Sequence, residues 1–223
     1  MKEFVWSDPP GQTAFPVAKA GYPFIFAAAF ATAVFALLGM VAPAMFGLFI
    51  TFCICGFFRD PDRVIPNAAQ GVVSPADGKV VLVDTVAENP YTEGPALKIS
   101  VFMTVFNVHV NRVPFAGKVA DVIYHPGKYF SANMDKASEE NERNAVVLET
   151  SQGARICFVQ IAGLIARRII CHLKTGDVVQ RGQRFGMICF GSRLDVYLPE
   201  DAVPHVQVGD KVRSGTSLLG YLK

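Results

Sequence analysis

Residues 20–58 include no Asp, Glu, Lys, Arg or His and consist mostly of Phe, Ala, Leu, Ile, Val and Met. One membrane helix takes about 20 apolar residues, and a helix in a soluble core is usually shorter. The run is too long for either alone. Gly39 and Pro43, in "LLGMVAPAMFG", divide it into residues 22–38 and 44–58, which predicts a hairpin of two short helices that lies in or re-enters a bilayer. A buried helical hairpin of a soluble protein is the alternative. The length of the run, its late start and the lack of an A-x-A site argue against a cleavable leader. Lys19 precedes the run, and Arg59 and Arg63 follow it. Both ends of a hairpin share one side, and basic flanks mark that side as cytoplasmic. Residues 1–58 are therefore expected to be a membrane-associated segment. Residues 59–223 are expected to form a domain on the cytoplasmic face of the cell membrane.

"FFRDPDRVIPNAAQG" is polar and proline-rich and reads as a linker. Beyond it, short Val/Ile/Leu runs alternate with Gly/Pro/Asp turns and no sustained 3.6-residue period appears, which predicts a mainly β domain. The 21 basic and 19 acidic residues nearly balance. With no Lys/Arg run and no interleaved aromatics, this argues against nucleic acid as a partner. The five cysteines are odd in number and lack C-x-x-C spacing, so neither a zinc ribbon nor a disulfide framework is supported. The four histidines form no ligand motif, and no metal is expected.

Internal similarity refines the β reading. "PADGKVVLV" from Pro75 and "PFAGKVADV" from Pro114 share P-x-x-G-K-V-x-x-V; "GDVVQRG" from Gly176 and "GDKVRSG" from Gly209 share G-D-x-V-x-x-G. The glycines suit tight bends into strands and Gly-Asp suits a turn. Two unlike pairs suggest pseudo-symmetric halves, and these elements resemble those of the biotinyl/lipoyl-type barrel-sandwich hybrid. Asp135-Lys136-Ala137 matches the tripeptide that carries lipoate in lipoyl domains. It lies in polar "SANMDKASEENERN" with no flanking strand, so a solvated loop or substrate lid is expected there instead.

Several residues are candidates for chemistry. In "RFGMICFGSRLDVYLP" two apolar runs, residues 185–190 and 194–198, look like neighbouring strands joined by Gly191-Ser192-Arg193. That is unusual chemistry for a hairpin, which favours Asn-Gly or Asp-Gly. His109 in "VFNVHVNRVP" is either a packed strand histidine or a proton carrier suited to neutral pH. Asp77 in "SPADGKV" is explained as a turn residue, or as a carboxylate awaiting a basic partner. Arg167 and Arg168 interrupt apolar "GLIARRI", where paired guanidinium groups can hold a phosphate.

"FFRDPDR", "SPADGKV", "FNVHVNRVP", "NERN", "IAGLIARRI" and "FGSRLDVYLP" occur in this order, and together they resemble phosphatidylserine decarboxylase proenzymes of the short bacterial branch. The likeness runs from about Arg59 to the C-terminus. It implies that the Gly191-Ser192 bond cleaves itself, giving a β chain of residues 1–191 and an α chain of residues 192–223 that remain associated. Ser192 would become a covalent pyruvoyl group, with no added cofactor. That group would form a Schiff base with the amine of membrane phosphatidylserine and draw off electrons as CO2 leaves, yielding phosphatidylethanolamine. The implied site is Ser192, His109 and Asp77, with Arg167 and Arg168 on the substrate.

In one place the pattern departs from the family. The longer branch resembles H-x-x-H here and uses an Asp-His-Ser relay, whereas Arg112 stands where the second histidine would be. His109 thus serves either self-cleavage or reprotonation, with reprotonation favoured. Two rival readings are a membrane-anchored lipoyl-like adaptor with an uncut chain and a pyruvoyl decarboxylase for a soluble amino acid. Homo-oligomerisation is left open.

Overall fold

The computed structural model describes residues 16–92, 94–132, 137–164, 168–189 and 191–223. They divide into a unit that ends at Asp62 and a second that runs from Arg63 to Lys223.

In the first unit a 3-10 turn, Lys19–Gly21, leads into α1 (Tyr22–Leu37), and α2 (Val41–Phe57) follows. Pro23 sits in the first turn of α1, where a missing N–H costs nothing. Gly39, with a φ of +70°, turns the chain between the helices. Pro43 does not divide the run but lies in the first turn of α2, so this helix begins three residues earlier than the sequence split at Ala44 suggested. The helices meet where Gly47 faces Thr32: a Cβ at Gly47 would fall 2.6 Å from Thr32 Oγ1. Thr32 and Thr51 return their hydroxyls to Ala28 O and Gly47 O, both at 2.8 Å, which satisfies them without water. Neither helix buries a residue, and Phe26 and Phe30 are 71% and 72% exposed. Lys19–Leu37 is long and apolar enough to cross a bilayer by length and composition, and α2 is shorter. An apolar surface on every side is what lipid solvates, so the hairpin is compatible with membrane association.

The second unit is mainly β. Its strands are β1 (Gly71–Val73), β2 (Gly78–Val86), β3 (Ala96–Met103), β4 (Val110–Arg112), β5 (Gly117–His125), β6 (Arg143–Glu149) and β7 (Arg155–Ala162). They continue as β8 (Ile169–Cys171), β9 (Val178–Val179), β10 (Arg184–Ile188), β11 (Ser192–Pro199), β12 (Val203–Pro204), β13 (Lys211–Val212) and β14 (Leu218–Tyr221). A short helix, α3 (Ala137–Glu140), precedes β6. Eight strands form one curled antiparallel sheet in the order β13-β2-β3-β11-β7-β6-β5-β9, and two three-stranded sheets, β1-β14-β12 and β4-β10-β8, accompany it.

The repeats in the sequence occupy matching places in this sheet. Each P-x-x-G-K-V element starts a strand, β2 or β5, and each G-D-x-V-x-x-G element supplies the short strand paired with it, β13 or β9. The bonding repeats as well. Val80 N donates to Asp210 O and Gly209 N to Val80 O; Val119 N donates to Asp177 O and Gly176 N to Val119 O. Asp210 Oδ2 accepts from Gln207 N and Asp177 Oδ2 from Lys174 N, both at 2.9 Å. Gly209 and Gly176, at φ of +106° and +96°, make turns that a β-carbon would strain.

The strands on either side of Gly191-Ser192 do not form the hairpin that local sequence suggested. β10 belongs to a three-stranded sheet and β11 to the eight-stranded one, so residue 191 lies in a crossing between sheets and Ser192 and Arg193 are already strand. The reason is the two-sided character of β11. Leu194, Val196 and Leu198 join the main core with Phe158, Phe185 and Ile99, while Tyr197 packs on the other face with Val159 and Ile161. Such a strand needs a neighbour on each edge, and β3 and β7 supply them.

Arg193 and Asp195 share the face of Tyr197, since side chains alternate along a strand. Arg193 Nε lies 2.6 Å from Asp195 Oδ1, and its Nη2 donates to Ser100 Oγ at 2.8 Å. Asp195 Oδ2 accepts from Lys98 Nζ at 3.2 Å and Ser138 Oγ at 3.0 Å. Both charges are buried, so each relies on the other. Arg193→Met is expected to lower the unfolding free energy by about 3 kcal/mol by leaving the carboxylate short of a partner, measured by thermal or denaturant unfolding in detergent.

Candidate active site

Ser192 opens β11 and is the last residue paired with both neighbours, opposite Met103 at the end of β3 and Ala162 at the end of β7. It is fully buried. Its Oγ donates to Met103 Sδ at 3.4 Å. Asn111 Nδ2 approaches the same sulfur at 3.9 Å, and Asn111 Oδ1 accepts from Gln160 Nε2 at 2.9 Å. Asn144 Nδ2 donates in turn to Gln160 Oε1 at 3.4 Å. A buried chain of amides thus ends on a thioether, which is a weak acceptor. The serine hydroxyl is placed by a partner that holds it only lightly.

The carbonyl before it is seated more firmly. Gly191 has a φ of +63°, a conformation that favours glycine. Across from it, a Cβ at Gly163 would fall 2.2 Å from Gly191 O and 3.1 Å from the carbonyl carbon. Only glycine at position 163 leaves room for that oxygen. Sequence reasoning did not single out Gly163; the signal available was a glycine directly after the apolar strand in "IAGLIARRI". The same Cβ would lie 3.4 Å from Ala132 Cβ, so the chain ahead of α3 passes close by. Asn141 fixes that passage, donating through Nδ2 to Phe130 O at 2.8 Å and Ala162 O at 2.7 Å and accepting from Phe130 N at 2.9 Å. Cys189 is a poor rival nucleophile, because burial pushes its thiol pKa up and nearby Arg168 offsets only part of this.

The other residues singled out from sequence fall as follows. His109 is fully buried and directly precedes β4 rather than lying within a strand; the pairing of Val110 with Met187 carries it toward the end of β10. Asp77 lies just before Gly78, where a Cβ would fall 2.2 Å from Phe102 O, so it also sits at the end of β3. Its basic partner is Arg63, whose Nη2 reaches both carboxylate oxygens at 3.2 and 2.9 Å, and Oδ1 also accepts from Ser214 N at 2.7 Å. Arg112 is buried and donates to Gly182 O at 3.0 Å, a bond that secures the loop before β10. Arg168 is exposed, and its carbonyl accepts from Cys189 N at 3.2 Å. Arg167 lies outside the described residues, as do Asp135 and Lys136 of the lipoyl-like tripeptide.

A cavity of about 500 Å³ lined by Pro95, Arg155 and Pro199 lies at the opposite end of these strands and contains none of the residues above. Asp77, Gly163 and Ser192 lie instead where β3 and β7 end and β11 begins, and His109 lies beside the end of β10.

Comparison with known proteins identifies the family. A family model described as phosphatidylserine decarboxylase matches residues 50–220. The chain is 50% identical over 207 residues to a protein of Desulfotalea psychrophila named phosphatidylserine decarboxylase proenzyme, covering 93% of this chain and 97% of that one. A protein of the same name from Geotalea uraniireducens is 50% identical with the same coverage. Another, from Syntrophus aciditrophicus, is 51% identical over 206 residues, covering 92% and 96%. The match takes in most of the chain, and the chain belongs to the phosphatidylserine decarboxylase family.

Proposed function

We propose that the protein is a self-processing phosphatidylserine decarboxylase that releases CO2 and phosphatidylethanolamine, using a pyruvoyl group made from its own Ser192. One observation carries the reading. A buried serine opens a central strand, and the carbonyl before it is held in a notch that only glycine at 163 leaves open. Ser192 Oγ attacks the Gly191 carbonyl carbon and displaces the Ser192 nitrogen, converting the amide to an ester. Loss of the Ser192 α-proton then breaks the Cβ–O bond, giving a Gly191 carboxylate and dehydroalanine. Addition of water and loss of ammonia leave the keto group. Once formed, that group supplies a carbonyl that condenses with the substrate amine and takes up the electrons freed as CO2 departs.

The chain's own residues do the rest. His109 is assigned the proton returned to the substrate carbon, which its burial near the end of β10 supports. Asp77 is assigned to the processing step as the site's carboxylate, and through Arg63 and Ser214 it joins the segments on both sides of the cut. Arg167 and Arg168 are assigned to the substrate phosphate; exposure of Arg168 supports this. Residues 1–191 and 192–223 form β and α chains that stay together, because β11, β13 and β14 are each paired with strands of the larger piece. The paired sequence repeats, each placing a short strand on β2 or β5, support a barrel-sandwich hybrid of the biotinyl/lipoyl kind. We place residues 1–58 in the membrane and residues 59–223 on its cytoplasmic face, from the basic flanks Lys19, Arg59 and Arg63.

Mass analysis under denaturing conditions tests the reading. The wild-type chain should resolve into two pieces divided between residues 191 and 192, whereas Ser192→Ala should persist at 24.2 kDa and be inactive. An intact wild-type chain that still decarboxylates would sink the proposal. Gly163→Ala should slow self-cleavage by about 100-fold, the cost of displacing a reacting carbonyl by an ångström, as followed by the ratio of cut to uncut chain during expression. His109→Gln should still be cut but turn over at least about 100-fold more slowly; an uncut His109→Gln chain would move this residue to processing.

A further inference from the structure

The strand ends around Ser192 support two exposed loops. β3 ends at Met103 and β7 at Ala162, both opposite Ser192, so the segments that follow leave the sheet on either side of it, two strand spacings or about 10 Å apart. The first exposes Val105 at 41% and Phe106 at 83%, and the second exposes Leu164 at 65%. The first is held in place. Thr104 donates through N and Oγ1 to Asn107 Oδ1, each at 2.8 Å, and Asn107 N returns a bond to Thr104 O at 3.0 Å, which sets Val105 and Phe106 at the tip of a tight turn. Leu164 directly follows Gly163, the residue packed on the Gly191 carbonyl. The exposed Arg168 lies four residues further on.

Single exposed apolar side chains are ordinary on a protein surface. Three of them beside two strand ends, framing a buried reactive residue and accompanied by a guanidinium, have a shared use. We propose that Val105, Phe106 and Leu164 insert among the headgroups of an anionic bilayer while Arg168 pairs with lipid phosphate, seating the mouth of the site on the membrane surface. The inference rests on the phospholipid decarboxylase reading: the reacting headgroup stays at the bilayer surface, so the end of the sheet that holds Ser192 must come to it. Apolar insertion and the charge attraction of basic side chains for anionic lipid act together at such surfaces.

The chain has one tryptophan, Trp6, which makes the test direct. In the full chain carrying Trp6→Phe, a tryptophan is placed at Phe106→Trp, Leu164→Trp or, as a reference in the turn between β6 and β7 at the far end of the strands, Gln152→Trp. Each is reconstituted into vesicles of phosphatidylglycerol and phosphatidylcholine, with and without brominated acyl chains. Tryptophans 106 and 164 should show blue-shifted emission and be quenched by the brominated lipid, while tryptophan 152 emits as in water and is not quenched. Water-like emission at both 106 and 164, or equal quenching at all three positions, overturns the proposal. Equal quenching in pure phosphatidylcholine vesicles overturns its anionic part. The masses of the same samples report self-cleavage separately. A chain that cleaves without quenching refutes the docking alone, and one that quenches uncut refutes the processing alone.

Discussion

β11 is hydrogen-bonded along both edges, to β3 and to β7, and its first residue is Ser192. That double pairing sets the form of the site. It ends β3 at Met103, whose sulfur takes the serine hydroxyl, and it ends β7 just before Gly163, which makes room for the Gly191 carbonyl. It also sends one face of the strand into the main core and the other onto the Arg193–Asp195 pair. A register shift of one residue would exchange those faces and place the serine among the buried charges.

The segment that follows the helical unit is equally committed. Arg181 donates to the carbonyls of Pro66, Ala68 and Gly71, and Arg63 grips Asp77. Ile65 lies against both Gly182 and Gly215, the last glycines of the two G-D-x-V-x-x-G repeats. What reads in sequence as a proline-rich linker is a belt across the equivalent turns of two similar halves. Asp77 lies under that belt and also holds Ser214, so one carboxylate joins the start of the domain, its first long strand and its C-terminal part.

Much of this was legible in the sequence where the cause was local. The uncharged run marked the helical hairpin, although Pro43 was misjudged as a break because a proline in a first turn looks the same as one between helices. The two repeat types marked equivalent strands and turns because each glycine and aspartate serves a bend within a few residues of itself. Gly191-Ser192 stood out through its company of motifs, while the local pattern suggested a hairpin; two alternating runs do not reveal whether they pair with each other or with distant strands. Gly163 was silent for the same reason, since its requirement comes from a carbonyl on another strand. Arg193 had no visible purpose until Ser100 and Asp195 were brought beside it, and Arg112 could be compared with a missing histidine but not with Gly182.

The burial of Ser192 has a consequence for what can terminate the α chain. An ordinary proteolytic cut before this residue would leave a new ammonium group at a position with no exposure to water. Either route frees the Gly191 carboxylate, but hydrolysis adds an ammonium that must give up its hydration to remain at the strand end, at a cost of several kcal/mol. A terminus that sheds its nitrogen as ammonia and keeps a keto oxygen brings no charge into the sheet. On the self-processing reading, the enclosed strand end favours conversion over simple hydrolysis, and the sheet that would hold the two pieces together also selects the kind of end it accommodates.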